Sequence, residues 1–132
     1  MTVILDVSGA MQILFNKEKK SKFTEVFQEA SLVLAPDLYV SELTNTLWKY
    51  CIKGFYTPEE CTQFIKDGLG YISKYIDSKD LWQEAFDEGI KNKHPVYDMY
   101  YAVAARRNNG TLITNDGDLA KICKKLSIGC LF

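Results

Sequence analysis

The chain has 132 residues, 47% of them hydrophobic and 25% charged, with a net charge of −1 and a sequence pI near 5.8. That length predicts one domain, residues 1–132, and the near-neutral charge excludes a protein that holds nucleic acid by overall charge alone, so any basic surface is local. Cys51, Cys61, Cys123 and Cys130 form no CxxC pair, which argues against zinc; with no positively charged leader and no apolar run longer than Met99 to Ala105, the expected setting is the cytoplasm, with reduced thiols and no membrane.

Thr2 to Leu5 reads as a short buried strand, because consecutive apolar residues meet a polar break. Ser8 and Gly9 open a helical stretch with Met11, Leu14 and Phe15, and Phe23, Val26 and Phe27 mark a second helix. Leu32 to Ala35 is a second strand, ended by Pro36. A third helix starts near Asp37, buries Leu43, Leu47 and Tyr50, and stops near Gly54. Thr57-Pro58-Glu59-Glu60 is a strong helix start, with Phe64, Ile65, Leu69 and Ile72 continuing the pattern. Ser78 caps a further predicted helix carrying Leu81, Trp82, Ala85 and Phe86. The next helix runs from about Val96 to Asn108 and stops at Asn108-Asn109-Gly110. Thr111 to Thr114 is a strand; Leu119, Ile122, Cys123 and Leu126 define the last helix, and Ile128 to Leu131 the last strand. Strands alternating with helices predict an α/β protein with a mostly parallel sheet between helical layers, interrupted by a helical middle from about Asp37 to Asn92.

Four acids stand where an apolar strand ends or a helix begins: Asp6, Glu42, Asp98 and Asp116. In open α/β sheets ligands bind beyond the carboxyl ends of the strands, so acids remote in sequence can converge there. Converging carboxylates repel unless cations neutralise them, and hard oxygen donors suit Mg²⁺ or Mn²⁺. Each acid also has a bland explanation: Asp6 and Asp116 as helix N-caps, Asp98 as a first-turn acid, Glu42 as a solvated helix residue. Their shared placement favours a joint site. Ser8, Asn45, Thr114 and Asp118 are polar neighbours within reach of the four, although Asp118 also suits a residue facing water.

The segments Val3-Ile4-Leu5-Asp6-Val7-Ser8, Ser41-Glu42-Leu43-Thr44-Asn45, Tyr97 to Ala104 and Leu112 to Leu119 resemble, in order and spacing, the four motifs of PIN domains, and among them the VapC-type toxin ribonucleases. The resemblance implies a three-layer α/β/α sandwich with a helical hairpin in its middle. It implies that Asp6, Glu42, Asp98 and Asp116 bind Mg²⁺ or Mn²⁺ and cleave RNA, with Thr114 as the supporting hydroxyl and Asn45 as a polar companion of Glu42. It also implies a small antitoxin as partner, and a homodimer is expected.

Rival acid-dependent α/β enzymes fail at named positions. A dehalogenase-type phosphatase needs an aspartate where Ser8 stands, and a receiver domain needs a lysine where Asn115-Asp116 follow the late strand. Two other readings stay open: an RNA-processing nuclease without antitoxin, and a non-catalytic module that binds RNA or protein. His94, alone and beside Pro95, is expected to be structural or solvent-exposed. Trp48, Phe64, Trp82 and Phe86 are expected in the core, or else on a dimer or antitoxin face. Lysines 17–22, Arg106-Arg107 and Lys121 to Lys125 are expected to be solvated, and available to phosphate.

Overall fold

The computed structural model describes residues 1–132. Its strands are β1 (Thr2–Leu5), β2 (Leu32–Pro36), β3 (Lys74–Ile76), β4 (Thr111–Ile113) and β5 (Cys130–Leu131). Its helices are α1 (Val7–Leu14), α2 (Lys20–Glu29), α3 (Leu38–Ile52), α4 (Pro58–Gly70), α5 (Trp82–Asn92), α6 (Val96–Arg107) and α7 (Gly117–Lys125). The strands form one sheet in the order β3-β2-β1-β4-β5, parallel throughout. From β1 the chain steps outward to β2 and β3, then returns across the sheet to β4 and β5. Right-handed crossovers therefore put α1–α4 on one face and α5–α7 on the other. This is the predicted α/β/α sandwich, and α3 and α4 pack together as the helical hairpin.

Local chemistry sets most boundaries. Asp6 and Asp116 cap α1 and α7 with side-chain carboxylates, and Thr57 and Glu60 form a reciprocal capping box at α4. The core is continuous from Val3-Ile4-Leu5 through Leu34-Ala35 to Leu112-Ile113, closed on one side by Leu43 and Leu47 and on the other by Met99 and Tyr101 to Ala105. The alanines of α6 let its backbone lie close on β1, β2 and β4.

Three expectations are corrected. The helical middle contains strand β3, paired Leu34↔Lys74 to Pro36↔Ile76, so α4 stops at Gly70 and Ile72 lies beyond it. Ser78 begins a 3₁₀ turn (Ser78–Asp80) and does not cap α5, which starts at Trp82. Trp48, Trp82 and Phe86 are exposed by 57%, 51% and 49%, so helical spacing marked a face that the chain leaves uncovered. Phe64 alone joins an interior cluster, edge-on to Phe15 and Tyr56.

Gly9 sets the approach of α1 to the sheet. A Cβ there would lie 2.8 Å from the Ile113 carbonyl oxygen and 3.2 Å from Leu5 Cδ1. A Cβ at Gly70, at the end of α4, would meet nothing within 4 Å. We expect Gly9→Ala to destabilise the fold by about 1–3 kcal/mol through overpacking. Gly70→Ala should be neutral or stabilising by up to about 1 kcal/mol. Thermal unfolding followed by circular dichroism checks the pair; equal melting temperatures for Gly9→Ala and wild type would contradict the close-approach account.

Candidate active site

In this sheet the connections turn in opposite directions from β1 and from β4, so the crevice between their carboxyl ends is the topological switch point. Asp6 follows β1 and Asp116 follows β4, which places both at that crevice by chain geometry alone. Glu42 enters from the second turn of α3 and Asp98 from the first turn of α6. The four acids, with Val7, Ser8 and Tyr101, line one cavity of about 100 Å³.

Asp6 is the buried floor of the site. Its Oδ1 accepts from the Gly9 amide at 2.8 Å and from the Ser8 hydroxyl at 2.7 Å, and its Oδ2 accepts from the Thr114 hydroxyl. Ser8 Oγ and Thr114 Oγ1 lie 3.2 Å apart. Each hydroxyl also accepts a backbone amide of the β4–α7 turn: Asn115 N–H to Ser8 Oγ at 2.8 Å, Asp116 N–H to Thr114 Oγ1 at 3.0 Å. Asp116 accepts from the Asp118 and Leu119 amides at 3.0 and 3.2 Å. Asp6 and Asp116 therefore cap their helices and line the cavity at once: the geometry that caps a helix after a strand is the geometry that presents a carboxylate at the sheet edge.

Two contacts were not read from the sequence. Tyr101, almost wholly buried, donates its hydroxyl to Glu42 Oε1 at 2.6 Å. His94, expected to be structural or exposed, sits with Nε2 2.6 Å from Asp98 Oδ2 and a side chain only 14% exposed. An i, i+4 His–Asp spacing was visible, but Pro95 between them marked a helix boundary and hid the pairing. Thr114 and Ser8 both donate hydroxyls to Asp6. Asn45 faces an exposed groove on α3 with Val40, Ser41, Thr44 and Trp48, outside the acid cavity, and Asp118 is exposed beside it. Arg106 and Arg107, expected to be available to phosphate, are held by Glu84 and Glu88 in ion pairs of 2.8–2.9 Å that fix α5 on α6.

The electrostatics are those of uncompensated negative charge. Burial raises Asp6 from an ordinary 3.8 to about 6, against the pull of its hydrogen bonds, and Asp98 adds repulsion. Burial also raises Glu42 and Asp98; Tyr101 and His94 partly counter this, while Asp98 repels Glu42 and Asp116 repels Asp98. No lysine or arginine lines the cavity. An all-oxygen donor set with unneutralised charge fits a hard divalent cation. No three acidic, histidine or cysteine side chains enclose an ion as they stand, so the carboxylates form an open cradle that a cation would have to draw together.

No protein-family profile matches the sequence. The chain is 24% identical over 123 residues to "Ribonuclease VapC3" of Pyrobaculum aerophilum, a match covering 92% of this chain and 94% of that protein. Its fold is similar to the crystal structure of PAE2754 from Pyrobaculum aerophilum, with a TM-score of 0.73 and 18% identity, over 92% of this chain and 79% of that one. It is also similar to VapBC2 from Rickettsia felis bound to a DNA fragment from their promoter, with a TM-score of 0.70 and 15% identity, over 99% and 98%. The likeness to VapC-type PIN domains that the four motifs carry therefore extends over 92% of the chain in sequence and 99% in fold.

The raised Asp6 gives a pH dependence with a definite sign. An acid whose folded value lies above its unfolded value stabilises the fold below the unfolded value, and that contribution is lost as pH rises through the folded value. For Asp6 the window is from 3.8 to about 6. In EDTA, Asp6→Asn should gain stability relative to wild type between pH 4 and pH 7.5, by about 3 kcal/mol at most. Denaturant unfolding at both pH values measures it; an unchanged gap would show that Asp6 is not held against ionisation.

Proposed function

We propose that this chain, residues 1–132, is a single PIN-type domain acting as an Mg²⁺- or Mn²⁺-dependent endoribonuclease, the toxin of a toxin–antitoxin pair. The observation that carries the reading is the convergence of four carboxylates, from four separate elements, on one small cavity at the switch point with no cationic side chain among them. The named ribonuclease relative and the VapBC2 complex support the substrate class and the antitoxin partner. No helix is long and apolar enough to cross a membrane.

Asp6, Asp98 and Asp116 would hold the cation, with Glu42 completing the set directly or through solvent. The bound ion would withdraw charge from a scissile phosphodiester and acidify a water molecule. The chain's own residues supply the rest. Ser8 and Thr114 keep Asp6 oriented, and the amides of Asn115 and Asp116 keep the two hydroxyls oriented in turn. Tyr101 occupies Glu42 Oε1, leaving the second oxygen to orient the attacking water. His94, the chain's one histidine, does not line the cavity, so the reading assigns it no general-base role.

The substrate is RNA with an accessible single-stranded segment, because the cavity is small and must reach a phosphate. Since Arg106 and Arg107 are engaged internally, phosphate contacts fall to the lysines. The exposed apolar faces of α3 (Val40, Trp48, Ile52) and α5 (Trp82, Phe86, Ile90) are the surfaces offered to a second copy of the chain and to the antitoxin.

Asp98→Asn should retain the fold and lose about 100-fold or more of Mg²⁺-dependent cleavage of single-stranded RNA, the loss of several kcal/mol of charge stabilisation. Cleavage of a labelled oligonucleotide by protein purified free of host nuclease measures this; equal rates would sink the mechanism. Induced expression of wild type should arrest bacterial growth, Asp6→Asn at matched level should not, and a co-expressed antitoxin should relieve the arrest. Normal growth with wild type, together with RNA cleavage in vitro, would favour a processing nuclease.

A further inference from the structure

The cavity explains its four acids but not His94, whose placement is over-determined. Lys93 closes α5 in the left-handed conformation at φ 49°, and the His94 amide donates to the Gly89 carbonyl at 3.1 Å. Gly89 makes room for this turn: a Cβ there would lie 3.1 Å from the His94 carbonyl oxygen and 3.0 Å from Val96 Cγ2. Pro95 then fixes the entry into α6, with Asp98 in its first turn. The α5–α6 corner is braced further by Arg106 and Arg107 on Glu84 and Glu88. The imidazole thus reaches Asp98 from a rigid corner, and Nε2 lies 2.6 Å from Oδ2. An ionised carboxylate only accepts, so Nε2 is the donor.

We propose that His94 is a positioning residue for Asp98. Its Nε2–H occupies one carboxylate oxygen and fixes the orientation of the group, so that the other oxygen stays available to the cavity that Asp98 lines. An unpaired Asp98, repelled by Asp116 and 29% exposed, would turn outward to solvent; the imidazole prevents this without placing a lysine or arginine in the site. Outer partners of this kind orient ligating side chains, and their loss typically weakens metal binding by about 10–100-fold. The inference rests on the divalent-cation reading of the same cavity.

The test is Mn²⁺ binding to the full chain, read by loss of the free-ion electron paramagnetic resonance signal, for wild type, His94→Gln and His94→Phe. Glutamine carries an amide N–H near the position of Nε2, whereas phenylalanine keeps the ring without a donor; His94→Leu replaces it if the larger ring prevents folding. His94→Phe should bind Mn²⁺ about 10-fold more weakly, and His94→Gln should recover most of that affinity. With saturating Mn²⁺, KM for RNA should be unchanged in both. Wild-type affinity in His94→Phe, or equal weakening in both variants, would overturn the positioning role and leave the cation reading intact. No Mn²⁺ binding by wild type would overturn the cation reading and this inference together.

Discussion

The structure depends on one buried carboxylate. Asp6 sits at the end of the central strand, 6% exposed, and the donors that make its burial tolerable come from two stretches far apart in the chain. The Gly9 amide and Ser8 hydroxyl belong to α1, and the Thr114 hydroxyl to the exit of β4. A buried charge without such partners would be costly, so the group that needs satisfying also ties the first βα turn to the last. The close packing of α1 on β4 that Gly9 permits is part of the same knot, because a Cβ there would lie 2.8 Å from the Ile113 carbonyl oxygen and would push α1, and Ser8 with it, away from β4. Fold and site are therefore one network.

A second consequence is electrostatic. Asp98 and Glu42 approach this knot from opposite helical layers, each with a single side-chain donor, Tyr101 for Glu42 and His94 for Asp98. No lysine or arginine lines the cavity between them. The nearby strong cations, Arg106 and Arg107, are spent on joining α5 to α6. The result is an open acidic cradle whose repulsion would be relieved by a guest cation or by a positively charged side chain from a partner.

How much of this was legible in sequence depended on the range of each signal. Asp6 and Asp116 could be read because a strand followed by an N-cap is local, and Thr114 and Ser8 because they lie within two residues of those acids. Glu42 and Asp98 were legible as part of a four-motif pattern. The Tyr101–Glu42 hydrogen bond joins residues 59 apart and leaves no local trace, so nothing in the sequence singled out Tyr101. The ion pairs of Arg106 and Arg107 span 18 to 23 residues, and the arginines therefore looked free. Strand β3 is a three-residue, half-exposed edge strand whose identity comes from pairing with β2. The exposed tryptophans failed for a different reason: periodicity identifies an apolar face but says nothing of what covers it.

The central claim, that the acids form a divalent-cation site, is tested most directly by crystals grown with Mn²⁺ and measured near the manganese absorption edge. The account predicts one or two anomalous peaks bounded by Asp6, Asp98 and Asp116, with Glu42 within reach of the same ions. Ordered crystals in millimolar Mn²⁺ with no anomalous peak in this cavity would contradict it.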